Sequence, residues 1–293
     1  MNNELVSIAL TTYNSERFLR KQLDSIFNQS YKNIEVIACD DRSSDGTVNI
    51  LEEYKNKHGL RYYVNDVNVG YLRNFEKTIG YCKGTYIALS DHDDIWMPNK
   101  IERLVDQIGN YSLIFSDAFF IDNNDAVVAS SIKEYAGISV FSEKPYKYLT
   151  YKNFVIGCTT LFKRELLKTA IPIPEAESYH DWWLALTACT MNGLRYLPEP
   201  LVKYRQHEKN AIGLNKKVSL FHKAIDFLLE KPDVKTLEIQ EKRLEMLSQN
   251  KVFSEVERRY FKMATGFFHD KLHSKVQLKA FLIALAYLRY ISP

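Results

Sequence analysis

The sequence predicts an α/β protein built on a mostly parallel sheet flanked by helices. Three observations carry this: short apolar runs recur along the N-terminal half, amphipathic stretches of helical length separate them, and each run ends in polar or acidic residues. Val6-Ser7-Ile8-Ala9-Leu10 reads as the first strand, with Thr11-Thr12-Tyr13-Asn14 as the loop behind it. Asn14 or Ser15 can cap a helix whose apolar positions fall at Phe18, Leu19, Leu23, Ile26 and Phe27. Ile34 to Cys39 reads as a second buried strand, ending at Asp40-Asp41. Ser43-Ser44-Asp45-Gly46-Thr47 then opens a helix through Ile50, Leu51 and Tyr54, with Asp45-Gly46 serving as turn and helix start. Arg61-Tyr62-Tyr63-Val64 is a third strand, followed by a loop from Asn65 to Gly70 and a helix carrying Leu72, Phe75, Ile79 and Cys82. Leu113 to Ala118 reads as a further strand, and Asn123 to Lys147 as a long polar excursion of the kind that carries binding loops. From about Lys216 the composition turns helical, and Ser254-x-x-Glu257 has the spacing of a capping box.

Bulk properties narrow the function. A chain of 293 residues allows one large domain, or one domain with an appendage, and 46% apolar residues support a sizeable core. A net charge of +3 without any basic stripe argues against a nucleic-acid partner. The four cysteines, Cys39, Cys82, Cys158 and Cys189, form no CxxC pair and fit buried thiols in a reducing compartment. The N-terminus lacks the basic patch and apolar run of a signal peptide, and no stretch reaches the ~18 to 20 apolar residues of a membrane span, so the expected compartment is the cytoplasm.

The run from Tyr86 to Trp96 carries the sharpest chemistry. An apolar strand stops at Ser90-Asp91-His92-Asp93-Asp94, and unpaired carboxylates are costly inside a sheet. At a strand's carboxyl end they make sense, because open α/β sheets bind ligands there. With the backbone extended, Asp91 and Asp93 project to the same side and suit a hard divalent cation that leaves positions open for phosphate oxygens. Asp94 reads either as their support or as a helix N-cap before Ile95. The loops Thr11–Asn14, Asp40–Thr47, Asn65–Asn74 and Ser90–Trp96 all follow strands and so share one sheet edge.

On these motifs the chain strongly resembles the family 2 glycosyltransferases, inverting enzymes of the GT-A fold. Ser90-Asp91-His92-Asp93-Asp94-Ile95-Trp96-x-Pro98-x-Lys100, His180-Asp181-Trp182-Trp183 and Tyr204-Arg205-Gln206-His207-x-x-Asn210 look most like the bacterial rhamnosyltransferase branch. The likeness spans roughly residues 5 to 213. It implies a GT-A (Rossmann-like) catalytic domain over 1–213, with 214–293 as a helical extension.

The implied reaction is metal-dependent transfer of a sugar from a dTDP or UDP donor to a saccharide or lipid-linked saccharide in bacterial surface polysaccharide synthesis. Rhamnose is the first choice of sugar, ahead of UDP-hexoses and UDP-N-acetylhexosamines. Mn²⁺ or Mg²⁺ is expected on Asp93 and Asp91, with Asp91 also available to the ribose and His207 completing the shell. Donor contacts are expected from Thr11, Tyr13, Asn14, Asp41, Asn68, Gly70, Arg73, Asn74 and Arg205, with Asp41 accepting the imino hydrogen of the base while Asp40 turns inward. Arg73 equally fits an exposed helix arginine. Inversion needs one general base, and Asp181 matches the family's aspartate. His180, Trp182, Trp183 and Asp94 are the expected sugar or acceptor contacts, although both tryptophans equally fit the core of the following helix. Alternative readings are a sugar nucleotidyltransferase, whose Gly-rich phosphate loop Thr11–Asn14 does not match, and a non-catalytic nucleotide-sugar-binding protein. The apolar, basic-flanked segment 274–291 is expected either to pack on the catalytic domain or a second subunit, or to lie in the inner-leaflet interface.

Overall fold

A computed structural model of the chain describes residues 3–132, 134, 140, 143–206 and 234–273. The expected alternation is present: β1 (Val6–Thr12), α1 (Leu19–Phe27), β2 (Ile34–Asp40), α2 (Thr47–His58), β3 (Arg61–Val64), α3 (Tyr71–Gly80) and β4 (Tyr86–Ser90). There follow β5 (Ile95–Trp96), α4 (Lys100–Gln107), β6 (Leu113–Ile121), β7 (Val127–Ala129), α5 (Tyr146–Leu149), a 3₁₀ turn at Gly157–Thr159, β8 (Thr160–Lys163), α6 (Leu167–Ala170), α7 (His180–Thr190) and β9 (Leu194–Arg205). Two helices, α8 (Val234–Gln249) and α9 (Glu255–His273), end the described chain.

Strand order is β3-β2-β1-β4-β8-β6-β9-β5, with β7 added on β6. The pairs β1–β2, β2–β3, β1–β4 and β6–β9 are parallel, whereas β8 runs antiparallel between β4 and β6. The chain steps outward from β1 to β3 and then returns to place β4 on the other side of β1. That reversal makes the carboxyl ends of β1 and β4 a topological switch point, where such sheets open a crevice for ligands. Because β8 is antiparallel, the Gly157–Thr159 turn preceding it reaches the same edge, as do the ends of β6 and β9.

Successive residues of each strand face opposite layers. Ile8, Leu10, Val36, Ala38 and Ala88 pack under α1, α2 and α4. Ala9, Ile37, Ile87 and Leu89 face α3, α7 and the α8–α9 pair, whose Leu244, Leu247, Phe253 and Phe261 share one core with Trp182 and Trp183. The described part of the extension is therefore built into the catalytic body. The capping box closes as expected: the Ser254 amide donates to Glu257 Oε2 (2.8 Å) and the Glu257 amide to Ser254 Oγ (3.3 Å). The expected cap on α1 does not form. Ser15 Oγ accepts from the Tyr13 amide and Asn14 Oδ1 from the Ser44 amide, so both side chains tie loops together instead.

The strand β9 has no counterpart in the sequence reading. Pro198 and Pro200 interrupt its pattern, and its register on β6 shifts opposite them, at Ser116–Ala118. No helix among the described residues is long and apolar enough to cross a membrane. The segment 274–291, with its competing packing and membrane readings, and His207 lie outside the described residues.

Candidate active site

The acidic cluster sits where the switch point predicts. Asp91, Asp93 and Asp94 follow β4 directly; Asp91 is partly exposed, and Asp93 and Asp94 are buried. Burial, then the neighbouring Asp94, Asp93 and Asp181 carboxylates, holds Asp91 well above the usual carboxylate range. Burial and Asp93 push Asp94 up to about 7. The cluster is thus short of positive charge. Asp94 Oδ2 is buried and meets no nitrogen or hydroxyl donor, only the weak Cys158 thiol. Oxygens of Asp91 and Asp94 and the Cys158 sulfur lie within 4.8 Å of one another. Lys100 sits behind this group, its Nζ donating to Cys158 O (2.7 Å) and lying 3.2 Å from the Trp96 ring centroid, and burial lowers its pKa to about 7. Carboxylates crowded against so little positive charge are the donor set of a hard divalent cation, and they fit one.

Asp181 lies at the start of α7. Its Oδ1 accepts from Asn153 Nδ2 (3.0 Å) and the Trp182 amide (2.7 Å), and its Oδ2 accepts from the Gly157 amide (3.0 Å). Burial raises its pKa to about 6, with the amide bonds from Trp182 and Gly157 acting the other way. The Gly157–Thr159 turn thus joins the two halves of the site: Gly157 holds Asp181, and Cys158 faces Asp91 and Asp94. A Cβ at Gly157 would lie 3.0 Å from His180 Nε2, so any side chain there would have to push the imidazole back by a few tenths of an ångström.

The donor loops are tied to one another. Asp40 turns inward, accepting from Thr12 Oγ1 (2.8 Å) and the Ser43 amide (2.7 Å). Asp41 is 3% exposed and already accepts from Asn65 Nδ2 and the Val69 and Gly70 amides. Asn68 donates to Asp41 O (3.2 Å), and Gly70 adopts φ +81°, which a side chain would strain. Thr11 is buried at the end of β1, while Tyr13 is 49% exposed beside it. Asn14, at φ +47°, bridges to Ser43 and Ser44.

Several expected contacts lie elsewhere. Arg205 is fully buried beneath the acidic loop: Nε donates to Asp93 O (2.7 Å), Nη1 to Asp122 O (2.7 Å), and Nη2 pairs with Asp125 Oδ1 (2.6 Å). Its amide also donates to Asp94 Oδ1 (3.0 Å), so the fully buried Arg205 braces the loop from beneath. Arg73 is bound by Glu76 (2.5 Å) and Ile173 O (2.8 Å), not aimed at phosphate. Asn74, 2% exposed, donates to Cys39 O and accepts from Asn65. Both tryptophans are core: Trp182 Nε1 donates to Leu149 O (2.5 Å) and Trp183 Nε1 to Ala170 O (2.6 Å). His180 stacks on Phe75 (3.8 Å between centroids), and burial lowers its pKa to about 3, so it is neutral packing rather than a sugar contact. The residues not foreseen are Asn153, Gly157 and Lys100. Only Lys100 stood in a recognisable motif.

A sheet that reverses its strand order beside a buried acidic loop has the Rossmann-like arrangement of the GT-A fold. Solved structures support that fold. Staphylococcus aureus TarS 1–349 in complex with UDP aligns at TM-score 0.58, with 19% identity, over 91% of this chain and 87% of that one. The Pyrobaculum calidifontis mannosyltransferase PcManGT, solved with GDP-Man and Mn²⁺, aligns at TM-score 0.54, with 17% identity, over 99% and 86%. Residues 7–170 match the sequence profile of glycosyl transferase family 2. The chain is 31% identical over 186 residues to the Escherichia coli UDP-Glc:alpha-D-GlcNAc-diphosphoundecaprenol beta-1,3-glucosyltransferase WfgD, covering 62% of this chain and 70% of that protein. It is also 31% identical over 220 residues to the Shigella flexneri dTDP-rhamnosyl transferase RfbG, covering 70% and 74%. The chain belongs to glycosyl transferase family 2 and is a glycosyltransferase.

Proposed function

We propose that this chain transfers a sugar from a nucleoside diphosphate donor to a saccharide acceptor, with inversion, during bacterial surface polysaccharide synthesis. The observation that carries the reading is the juxtaposition of a cation-poor carboxylate cluster with Asp181, a buried carboxylate whose pKa lies at about 6. A general base works best with a pKa near the working pH, and Asp181 is ionised at neutral pH yet more basic than an ordinary aspartate. In this reading it takes the proton of the acceptor hydroxyl as that oxygen attacks the anomeric carbon, and its three N–H donors fix its direction. Asp91 would hold a divalent cation together with Asp93, the ligand that the motif suggests, and with the unpartnered Oδ2 of Asp94 that lies beside it. Bound there, the cation would offset the charge developing on the leaving diphosphate.

Tyr13, half-exposed at the end of β1, would stack on the nucleotide base, with Thr11, Asp41, Asn68 and Gly70 shaping that pocket in this reading. The groups assigned to donor and base fall within 1–213, and the helices of 234–273 pack against them as an extension. Likeness to RfbG supports dTDP-rhamnose as donor, and likeness to WfgD supports a UDP-hexose and a lipid-linked acceptor. The Mn²⁺ of PcManGT supports a divalent cation.

The test is thermal unfolding with dTDP, UDP and their sugar conjugates, each with and without Mn²⁺ or Mg²⁺. A ligand at 100 times its dissociation constant stabilises by ~2.7 kcal/mol, roughly a 5–10 °C shift at this size. A shift that needs the cation supports the reading. Absence of any shift across the panel would overturn it.

A further inference from the structure

We propose that Arg243, contributed by the C-terminal helix α8, is a positioning residue for Asp181; the proposal rests on the transferase reading above. Its guanidinium is fully buried and touches three parts of the catalytic body. Nε donates to Glu177 Oε2 (2.8 Å), Nη1 donates to Thr150 O (3.1 Å), and the guanidinium carbon lies 3.9 Å from the Trp182 ring centroid.

These contacts bracket the hydrogen bonds that hold Asp181. Thr150 belongs to the segment that leads to Asn153, whose amide nitrogen donates to Asp181 Oδ1 (3.0 Å). Glu177 and Trp182 lie on either side of Asp181, and the Trp182 amide donates to the same oxygen (2.7 Å). Trp182 Nε1 closes the loop by donating to Leu149 O (2.5 Å), next to Thr150. One planar cation therefore clamps together the two segments that meet at Asp181.

Stability alone is a poor reason for this pair. Well-packed apolar residues of similar volume often replace a buried ion pair without loss. Both partners have a buried polar atom left over, Glu177 Oε1 and Arg243 Nη2, so even the pairing is incomplete. Burial raises the Glu177 pKa despite the arginine beside it. What an arginine supplies and an apolar residue lacks is directional contact in one plane. A lysine keeps the charge but cannot pair with Glu177, reach Thr150 O and lie flat on Trp182 together.

The test uses the full chain and two variants, Arg243→Met combined with Glu177→Leu, and Arg243→Lys. Native-state amide exchange at Gly157 and Trp182 reads the hydrogen bonds onto Asp181 whatever reaction the protein catalyses. The double variant is expected to stay folded, lose about tenfold or more of the protection at both amides, and leave the β1 and β2 amides unchanged. Its kcat should fall about 10- to 100-fold with donor affinity within about twofold of wild type, because misplacing a catalytic group by about 1 Å costs that much. Arg243→Lys should fall between the two; if the double variant does not fold, Arg243→Lys alone decides by the same two readouts. Unchanged protection, or wild-type kcat with protection lost, overturns the positioning role. If protection falls in the variants but the wild-type chain transfers no sugar, the transferase reading is overturned instead and the clamp on Asp181 stands.

Discussion

Replacing Arg205 by methionine tests the brace beneath the acidic loop. Methionine keeps most of the volume and the contact with Phe18, whose ring centroid lies 4.4 Å from the guanidinium carbon. It deletes the bonds to Asp93 O, Asp122 O and Asp125, while the Arg205 amide bond to Asp94 survives any substitution. Asp125 keeps Lys21 as a partner at 2.5 Å, so its loss is small. Asp93 O loses this donor, at about 1–3 kcal/mol; Asp122 O keeps the Asp125 amide (3.2 Å) and loses one bond of about 1 kcal/mol, and the cation–π contact adds about 1 kcal/mol. The expected cost is therefore about 3–5 kcal/mol, or a fall in Tm of roughly 6–20 °C at 2–4 °C per kcal/mol. Urea unfolding with an unchanged m-value measures it. At a temperature where the variant is folded, cation-dependent donor binding should also weaken, because Asp93 has lost its anchor. Arg205→Lys should recover less than half of the stability, since one ammonium cannot span three acceptors. A loss below about 1 kcal/mol with donor affinity intact would refute the bracing role, and so small a loss with donor affinity weakened would return Arg205 to the donor.

Further predictions concern the base, the core and the cation. Because Asp181 must be ionised to accept a proton and burial raises its pKa to about 6, kcat/KM should fall about tenfold per pH unit below that value and level off above it. A limb near the usual aspartate value would separate Asp181 from the reaction. Trp183→Ala removes a side chain that is 1% exposed, and should cost about 3–5 kcal/mol while leaving the donor KM unchanged; a raised KM with little loss of stability would place Trp183 against the sugar after all. Chelation with EDTA should abolish transfer, and added Mn²⁺ or Mg²⁺ should restore it.

The elements that were legible in the sequence are those whose signal is local. Strands β1, β2 and β4 are buried on both faces, so Val6–Leu10, Val36–Cys39 and Tyr86–Leu89 read as apolar runs, and α1 shows its inner face through Leu19, Leu23 and Ile26. The acidic loop was legible because three carboxylates after an apolar strand have no cheap structural explanation. What was not legible is partnership at long range. Arg205, Arg73 and Asn74 carry ligand-like groups, but each spends them on protein atoms, up to 112 residues away in the case of Arg205 and Asp93. Trp182 and Trp183 could be placed only once α8 and α9 were seen to cover them. Asn153 reaches Asp181 across 28 residues and Arg243 reaches Glu177 across 66, separations that leave no periodicity to read. The strand β9 was hidden by its own prolines.

The central claim, that Asp181 is the base of a sugar transfer, is tested most directly by Asp181→Asn. The account predicts that the variant binds the donor and cation with affinities close to wild type while transfer falls by about 10²- to 10⁴-fold, the usual worth of a general base. The asparagine amide cannot accept a proton and sets an N–H against the Gly157 amide or Asn153 Nδ2. Turnover within about tenfold of wild type, with donor binding intact, would contradict the account, since general-base catalysis is worth more than that.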